Sequence, residues 1–574
     1  MNFSLFPLFA QIAPTSTHLV NLSWVDLLVV GIYFVFVLGI GFYLKSFTKS
    51  GTDFFMAGRG MTAWIAGVAF ISANLGSLEL LGWAGSSYQY GILCVHWYWI
   101  GAVPAMLFLA LVMMPFYYIC KTHSVPGYLR LRYGRGAQSV AAVSFGIMTV
   151  LMSGINMYAM ALVMNVVLGW NIHFSIWASS LAVAAYVILG GLLSAMFNEV
   201  LQFVLIWFGA LLIPILGLSE AGGWHGMVAR IHEKFPAQNY THVWSTLGSP
   251  ADNPMGISWI GIVFGLGCVI ATGYWTTDFL VVQRVLTAKD LRSAQMAPII
   301  GAAFKMFVPL IVILPGLLGL ALLPETLVGE NVAKVTGGHS YNEVLPLMLA
   351  HYCGPGLLGL GITALIAGFM SGMAGNLTAF ATVWTYDIYN PLRKKPMSDV
   401  ENVRMGRWCT FIGVLISIGT AYFVMQFASI MDYVQALFSL FIAPLFGTVI
   451  LGMLFARITS AGGFWGLLAG IGSSVSLWLW VKIDPSALRY VALSSDAKDM
   501  AENMYRALWS FLIGVIVTVV VSLLTKPRTR EELAGLVRGC TDLPTAHSYP
   551  LLQRPTFWAA IVGAACVILN VIFW

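Results

Sequence analysis

The side chains able to do chemistry in this sequence sit where a lipid-facing helix has no use for them. Residues 70–82 read Phe-Ile-Ser-Ala-Asn-Leu-Gly-Ser-Leu-Glu-Leu-Leu-Gly, which puts Ser72, Asn74, Ser77 and Glu79 inside an apolar run starting near Thr62. A carboxylate at bilayer depth costs about 2.5–3.5 kcal/mol on insertion scales, so Glu79 has to face a partner or a wet cavity. Small and polar residues at this density favour a helix that unwinds. An unwound turn leaves carbonyls free to hold a cation or a hydroxylated solute. A plainer reading is a helix packed through Ser72, Gly76 and Ser77, with Glu79 near its outer end.

Further polar groups lie in later apolar runs and are open to two readings each. Lys305 stands about eight residues into its run, too deep to snorkel with ease. Its ammonium needs acceptors from a polyol or carboxylate ligand, or from another core acid in a structural ion pair. Glu199 begins its run, where it either tunes a nearby cation or serves as an acid favoured by a helix N-terminus. Ser371-Gly372 interrupts another run, and the hydroxyl either joins neighbouring carbonyls around a hard cation such as sodium or bonds back to its own helix. Gln435 sits early in an apolar run, where a buried amide must find partners. Asp278, close to Gln283-Arg284, reads as structural.

These residues must be carried by membrane helices. Of 574 residues, 59% are hydrophobic and only 9% charged, with mean hydropathy +0.84, the make-up of an all-α integral membrane protein. Apolar segments of about 20 residues fall at 25–45, 62–86, 92–120, 137–168, 172–190, 193–218, 255–280, 297–323, 345–385, 406–427, 431–455, 460–481, 505–525 and 556–574. The result is about fourteen transmembrane helices, with residues 1–24 as an extracytoplasmic N-terminal segment. The fifth and sixth are parted only by Gly190-Gly191.

Of the 29 Lys and Arg residues, 21 fall in loops after odd-numbered spans, Arg284 among them, and 7 in loops after even-numbered spans, Arg506 among them. The positive-inside rule sets the former loops in the cytoplasm and both termini outside, in a plasma (inner) membrane. The net charge of +6 is therefore no nucleic-acid footprint. The seven Cys are scattered, mostly in apolar segments, without metal-ligand spacing. Ile231-His232-Glu233-Lys234-Phe235 lacks the second His of a zinc protease motif, and no nucleophile elbow occurs, so nothing here reads as an enzyme. No obligate protein partner and no organic cofactor are implied.

A set of short signposts now becomes legible. They are Phe54-Phe55-Met56-Ala57-Gly58-Arg59, Gly190-Gly191 followed by Glu199 to Gln202, and Tyr274-Trp275 with Gln283-Arg284. Lys305 with Pro309 and Leu314-Pro315-Gly316, and Tyr386-Asp387-Ile388-Tyr389, complete them. In this order the chain resembles the sodium:solute symporter family, in its sodium/glucose cotransporter-like branch, from about residue 25 to 574. The resemblance implies a five-plus-five inverted repeat with broken helices, core repeats at about 62–218 and 255–455, and alternating access around a midplane site. It implies Na+ as coupling ion and a small organic solute as cargo.

By that resemblance, solute hydroxyls are held at the positions of Asn74, Glu79, Tyr98, Lys305 and Gln435, with Tyr274 stacking from the cytoplasmic side. Sodium is held by carbonyls of Ser72, Leu75 and Gly368 and by two adjacent Ser hydroxyls, with an acid nearby at Glu199. Two departures stand out. The acid of the third span is replaced by Tyr98, while Glu79 stands where relatives carry Gln or His, as though the carboxylate had moved to the facing helix. The second Ser of the ion site is Gly372.

The expectation is sodium-coupled import of a small polar solute, a monosaccharide of the glucose or galactose kind first. The same scaffold coupled to protons through Glu79 or Glu199, or carrying a carboxylate, vitamin or osmolyte, is the neighbouring alternative. A membrane sensor is the alternative of another class.

Overall fold

Apolar runs of this length become helices in a membrane because each backbone N–H and C=O must find its partner within the chain. The computed structural model describes residues 23–48, 50–324, 328, 339–393, 397–425, 429–541 and 549–574. Among them helices dominate and no β-strand forms. The N-terminal segment expected at 1–24 lies outside the described residues except for its last two.

The first half of the bundle holds α1 (Trp24–Lys45), α2 (Ala63–Asn74), α3 (Ser77–Tyr90), α4 (Trp97–Ile119), α5 (Arg135–Leu168), α6 (Ile172–Ala185) and α7 (Gly191–Ala221). The second holds α8 (Gly261–Thr277), α9 (Phe279–Leu286), α10 (Leu291–Lys305), α11 (Pro309–Leu322), α12 (Leu357–Leu392), α13 (Asp399–Val424) and α14 (Ile430–Leu454). Three peripheral helices follow: α15 (Ser460–Ile483), α16 (Asp499–Leu524) and α17 (Pro555–Ile572). Ten described helices are long and apolar enough to cross a membrane alone, and up to thirteen if each bent pair is one span, with α6 a shorter apolar helix. The fourteen-span layout is compatible with this set.

Three spans are broken. α2 and α3 meet at 55°, α8 and α9 at 50°, and α10 and α11 at 45°. Gly76 takes an extended conformation (φ −83°, ψ 174°) at the first break, and Asp278 caps α9 at the second by accepting from the Leu280 N–H at 2.8 Å. These two broken spans are tied where α2 begins and α9 ends: Met61 N–H donates to the Thr287 carbonyl and Lys289 N–H to the Met61 carbonyl.

Several sequence boundaries move. The ninth apolar run, 345–385, is two elements, a short helix Val344–Tyr352 and α12, because Gly356 turns the chain with φ +89°. α12 is then the centre of the bundle, and each of its residues from Gly361 to Val383 is buried. Its start is held by Asp26 of α1, whose Oδ1 accepts from the backbone N–H groups of Gly356 and Gly359 at 2.7 and 2.6 Å. Lys305 is not inside its helix but its last residue, at the break. Glu199 lies two turns into α7, which removes the helix N-terminal reading. Arg284 and Arg506, counted as loop charges, are fully buried in α9 and α16, the latter paired with Glu502 at 2.6 Å.

The signposts turn out to be joints. Gly191 sits at φ +57° between α6 and α7, and a Cβ there would stand 2.7 Å from the Phe54 carbonyl oxygen and the Phe54 ring. Gln283 donates to the Phe55 carbonyl at 2.9 Å and to Thr382 Oγ1 at 2.8 Å. Arg59 reaches the Lys121 and Thr122 carbonyls. Asp387 accepts from Ser124 at 2.5 Å and Gln138 at 2.8 Å.

Candidate functional site

Both halves of the bundle deliver polar side chains to one place. Asn74 ends α2, Glu79 lies in the first turn of α3, and Tyr98 is in α4. Tyr274 comes from α8, Lys305 ends α10, and Gln435 is in α14. All six line a single cavity of about 80 Å³, together with Asn156, Gly372 and Asn376.

Lys305 is the hub. Its Nζ donates to Asn74 Oδ1 and to Glu79 Oε1, each at 2.5 Å. Glu79 Oε1 also accepts from the Tyr98 hydroxyl at 2.7 Å. Asn74 passes the chain on, its Nδ2 donating to the Tyr274 hydroxyl at 2.9 Å. The ammonium lies 4.9 Å from the centre of the Tyr98 ring and 5.2 Å from that of Trp275, within cation–π range. Lys305 is only 2% exposed and Glu79 5%, so the pair is a desolvated one. The open choice at Lys305 is thus resolved in part: it does have a core acid, and the pair faces a cavity. A buried ion pair is seldom a net gain over well-packed apolar groups. Three acceptors among the cavity-lining residues, Glu79 Oε2, Gln435 Oε1 and Asn156 Oδ1, are buried without a hydrogen-bond partner among the described residues. An unpaired buried acceptor is costly unless something donates to it, and a solute hydroxyl is such a donor.

Aromatic surface closes the rest. Tyr274 packs on Trp275 edge-on at 5.2 Å and on Phe438 at 4.9 Å. Trp83, Trp97 and Met431 line another side. Flat apolar faces beside convergent polar groups suit a ring that is polar at its rim and apolar on its faces.

The expected ion residues also meet, behind the same break. Ser371 Oγ donates to the Ser72 carbonyl at 2.8 Å and lies 3.1 Å from Ser72 Oγ. A Cβ built on Gly368 would stand 3.3 Å from the Leu75 carbonyl oxygen, which brings those two residues together. Glu199 goes elsewhere. Its Oε1 is 2.6 Å from Arg284 Nη2 and its Oε2 accepts from Arg284 Nε at 3.3 Å, with both residues fully buried. Arg284 also donates to the Leu280 carbonyl and Thr378 Oγ1. Glu199 is therefore engaged in a two-point ion pair, a partner the sequence reading of this residue did not name. Among the described residues no three His, Cys, Asp or Glu side chains gather as a metal cluster.

Sequence reasoning passed over Asn156, Asn376 and Trp83. A single amide in the middle of the apolar run 137–168 was the signal for Asn156; Trp83 gave none, since an aromatic there is equally a packing residue.

The model of the sodium:solute symporter family matches residues 54–470. This chain belongs to the sodium:solute symporter family. It is 30% identical to human sodium/glucose cotransporter 4 over 550 residues, covering 92% of this chain and 80% of that protein. It is 26% identical to rabbit (Oryctolagus cuniculus) sodium/myo-inositol cotransporter 2, over 91% of this chain and 82% of the relative. Among solved structures it is similar in fold to a Na+-coupled sialic acid symporter in a substrate-bound outward-open state. That likeness has a TM-score of 0.72 at 19% identity and covers 89% of this chain and 100% of that one. Within this symporter fold, the broken helices α2–α3 and α8–α9 open the two halves of the core, and the cavity lies between them.

Proposed function

We propose that this member of the sodium:solute symporter family imports a small polar solute, a monosaccharide of the glucose or galactose kind, by coupling it to sodium entry across the plasma membrane. The observation that carries this reading is the convergence of Lys305, Glu79, Asn74, Tyr98, Tyr274 and Gln435 on one cavity beside a broken helix. Lys305 and the Asn74 amide donate to solute hydroxyls, Glu79 and Gln435 accept from them, and Tyr274 with Trp275 covers the apolar face of the ring. The relatives named for glucose and myo-inositol support a polyhydroxylated cargo. Ligands for sodium are the Ser72, Leu75 and Gly368 carbonyls and the Ser371 hydroxyl.

A cavity of about 80 Å³ holds a few waters. A hexose therefore enters by parting Lys305 from Glu79 and Asn74, and its hydroxyls take over the bonds those side chains now make to one another. This exchange keeps the ammonium and the carboxylate satisfied when the solute is bound and when it is absent. Sodium drives the cycle to the extent that it binds the outward-open form better than the inward-open one. Loops after odd-numbered spans face the cytoplasm in this proposal.

Uptake of labelled glucose and galactose into proteoliposomes, under an inward sodium gradient and separately under an inward proton gradient, tests the reading. Sodium-driven hexose uptake is the expected result. Uptake driven by protons alone would overturn sodium coupling and turn attention to Glu79 and Glu199. No hexose uptake with either gradient would overturn the monosaccharide assignment and send the search to other hydroxylated solutes.

A further inference from the structure

Gly372 removes one hydroxyl from the ion ligands that the family resemblance implies, and the structure has an oxygen standing beside the gap. Asn156, in the middle of α5, is 3% exposed. Its Nδ2 donates to the Met152 carbonyl of its own helix at 3.2 Å, and its backbone carbonyl accepts weakly from Ser77 at 3.5 Å. Its Oδ1 is buried and has no partner among the described residues. The amide cannot profitably be turned over, because the Met152 carbonyl would then face an oxygen. So the oxygen points toward the broken helix.

What it points at is a small space bounded by two glycines. A Cβ built on Gly76 would stand 3.0 Å from Asn156 Oδ1 and 3.5 Å from the Gly368 carbonyl oxygen. A Cβ built on Gly372 would stand 3.2 Å from the same Oδ1 and 3.3 Å from the Gly76 Cα. The carboxamide oxygen, the Gly368 carbonyl and the unwound turn at Leu75–Gly76 thus face one another across a gap that any side chain at position 76 or 372 would narrow. A buried acceptor beside a carbonyl, both oxygens and neither a donor, repels another acceptor and attracts a cation. Hard cations take neutral oxygens of this kind, and unwound helices in transporters supply them.

We propose that Asn156 Oδ1 is a sodium ligand of this protein and fills the coordination position vacated at Gly372. The proposal rests on the sodium-symport reading above. It makes Asn156 and Gly372 a matched pair: a Ser at 372 and an Asn at 156 compete for the same space, so each suits the other only in the combination seen here.

The test is a sodium titration of the purified full-length protein, read by thermal unfolding in detergent with choline as the control cation, and in parallel by the sodium dependence of solute uptake. Asn156→Ala is expected to raise the half-saturating sodium concentration about tenfold in both assays, the loss of one modest ligand. Because Asn156 also lines the solute cavity, the apparent solute affinity is read beside it at saturating sodium, where it should fall by less than the sodium affinity does. Gly372→Ser added to Asn156→Ala should recover most of the sodium affinity, because the vacated space then accepts the hydroxyl. Asn156→Asp keeps the oxygen and adds charge, and should hold or lower the half-saturating concentration. Equal losses in Asn156→Ala and Asn156→Asp, or an unchanged sodium titration in Asn156→Ala, would overturn the proposal while leaving sodium symport standing. So would a loss of solute affinity at saturating sodium with no change in the sodium titration, which would make Asn156 a solute contact. A wild-type protein that sodium neither stabilises nor drives would overturn both readings.

Discussion

At the scale of single residues the cavity is a closed circuit of charge. Glu79 Oε1 takes two donors, Lys305 at 2.5 Å and Tyr98 at 2.7 Å. Glu79→Gln keeps the shape and removes the charge that balances a buried ammonium. Unbalancing such a pair costs about 3–5 kcal/mol, part of which shows as lost thermal stability and the rest as lost uptake. Tyr98→Phe deletes one hydrogen bond, a change of about 1–3 kcal/mol, and should weaken the solute KM with less effect on folding. Measuring KM and Tm for both variants separates the two, and a Glu79→Gln protein with wild-type affinity and selectivity would remove Glu79 from solute binding. The sequence identified Lys305 as a buried cation, but not that its partner is Glu79, 226 positions away. No local pattern encodes a pairing at that separation. The same limit applies to Glu199 and Arg284, which appeared in sequence as an acid near an ion and a loop arginine.

At the scale of elements, function lies in the breaks. A continuous helix satisfies its own carbonyls; α2–α3 is interrupted at Leu75–Gly76 and α8–α9 at Asp278, and polar side chains gather beside these breaks. Small residues and caps announce these breaks: Gly76, and Asp278 as the N-cap of α9. The joint between α6 and α7 shows how tightly such points are built. Gly191 has a left-handed φ and no room for a methyl group against Phe54. Gly191→Ala is therefore expected to destabilise the protein by about 1–3 kcal/mol, through strain and through displacement of the helix that carries Phe54 and Phe55. A thermal melt of purified protein reads this directly, and an unshifted Tm would mean that the joint relaxes. The glycine pair was legible as a boundary. The reason for glycine there was not, because the obstructing carbonyl comes from residue 54.

For the whole molecule, the orientation proposed above rests on where the charges stand. Basic residues crowd the loops assigned to the cytoplasm, while Arg284 and Arg506, buried in helices, drop out of that count without reversing it. Ser486 precedes α16 and Thr529 follows it, and both are exposed. In intact cells, a membrane-impermeant thiol reagent should label Ser486→Cys and leave Thr529→Cys unlabelled until the membrane is opened. The reverse pattern would invert the proposed topology. The peripheral helices α15, α16 and α17 take no direct part in the cavity. Arg506 of α16 nevertheless donates to Ser439 at 2.9 and 3.1 Å, on the span that carries Gln435. α16 therefore has a positioning contact within reach of the site.

The sequence alone determined that this is a helical membrane protein, roughly where its spans lie, and which few polar residues are too costly to be idle. Those follow from local quantities: hydropathy over a span's length, the position of glycines and caps, and the price of a charge in lipid. Only the tertiary structure decided that Glu79 faces Lys305, that Glu199 is committed to Arg284, that the ninth run is two elements, and that Asn156 looks onto the gap at Gly372. Each of these depends on the approach of segments distant in the chain. Burial raises the energy of an unpaired group, but folding geometry alone selects its partner.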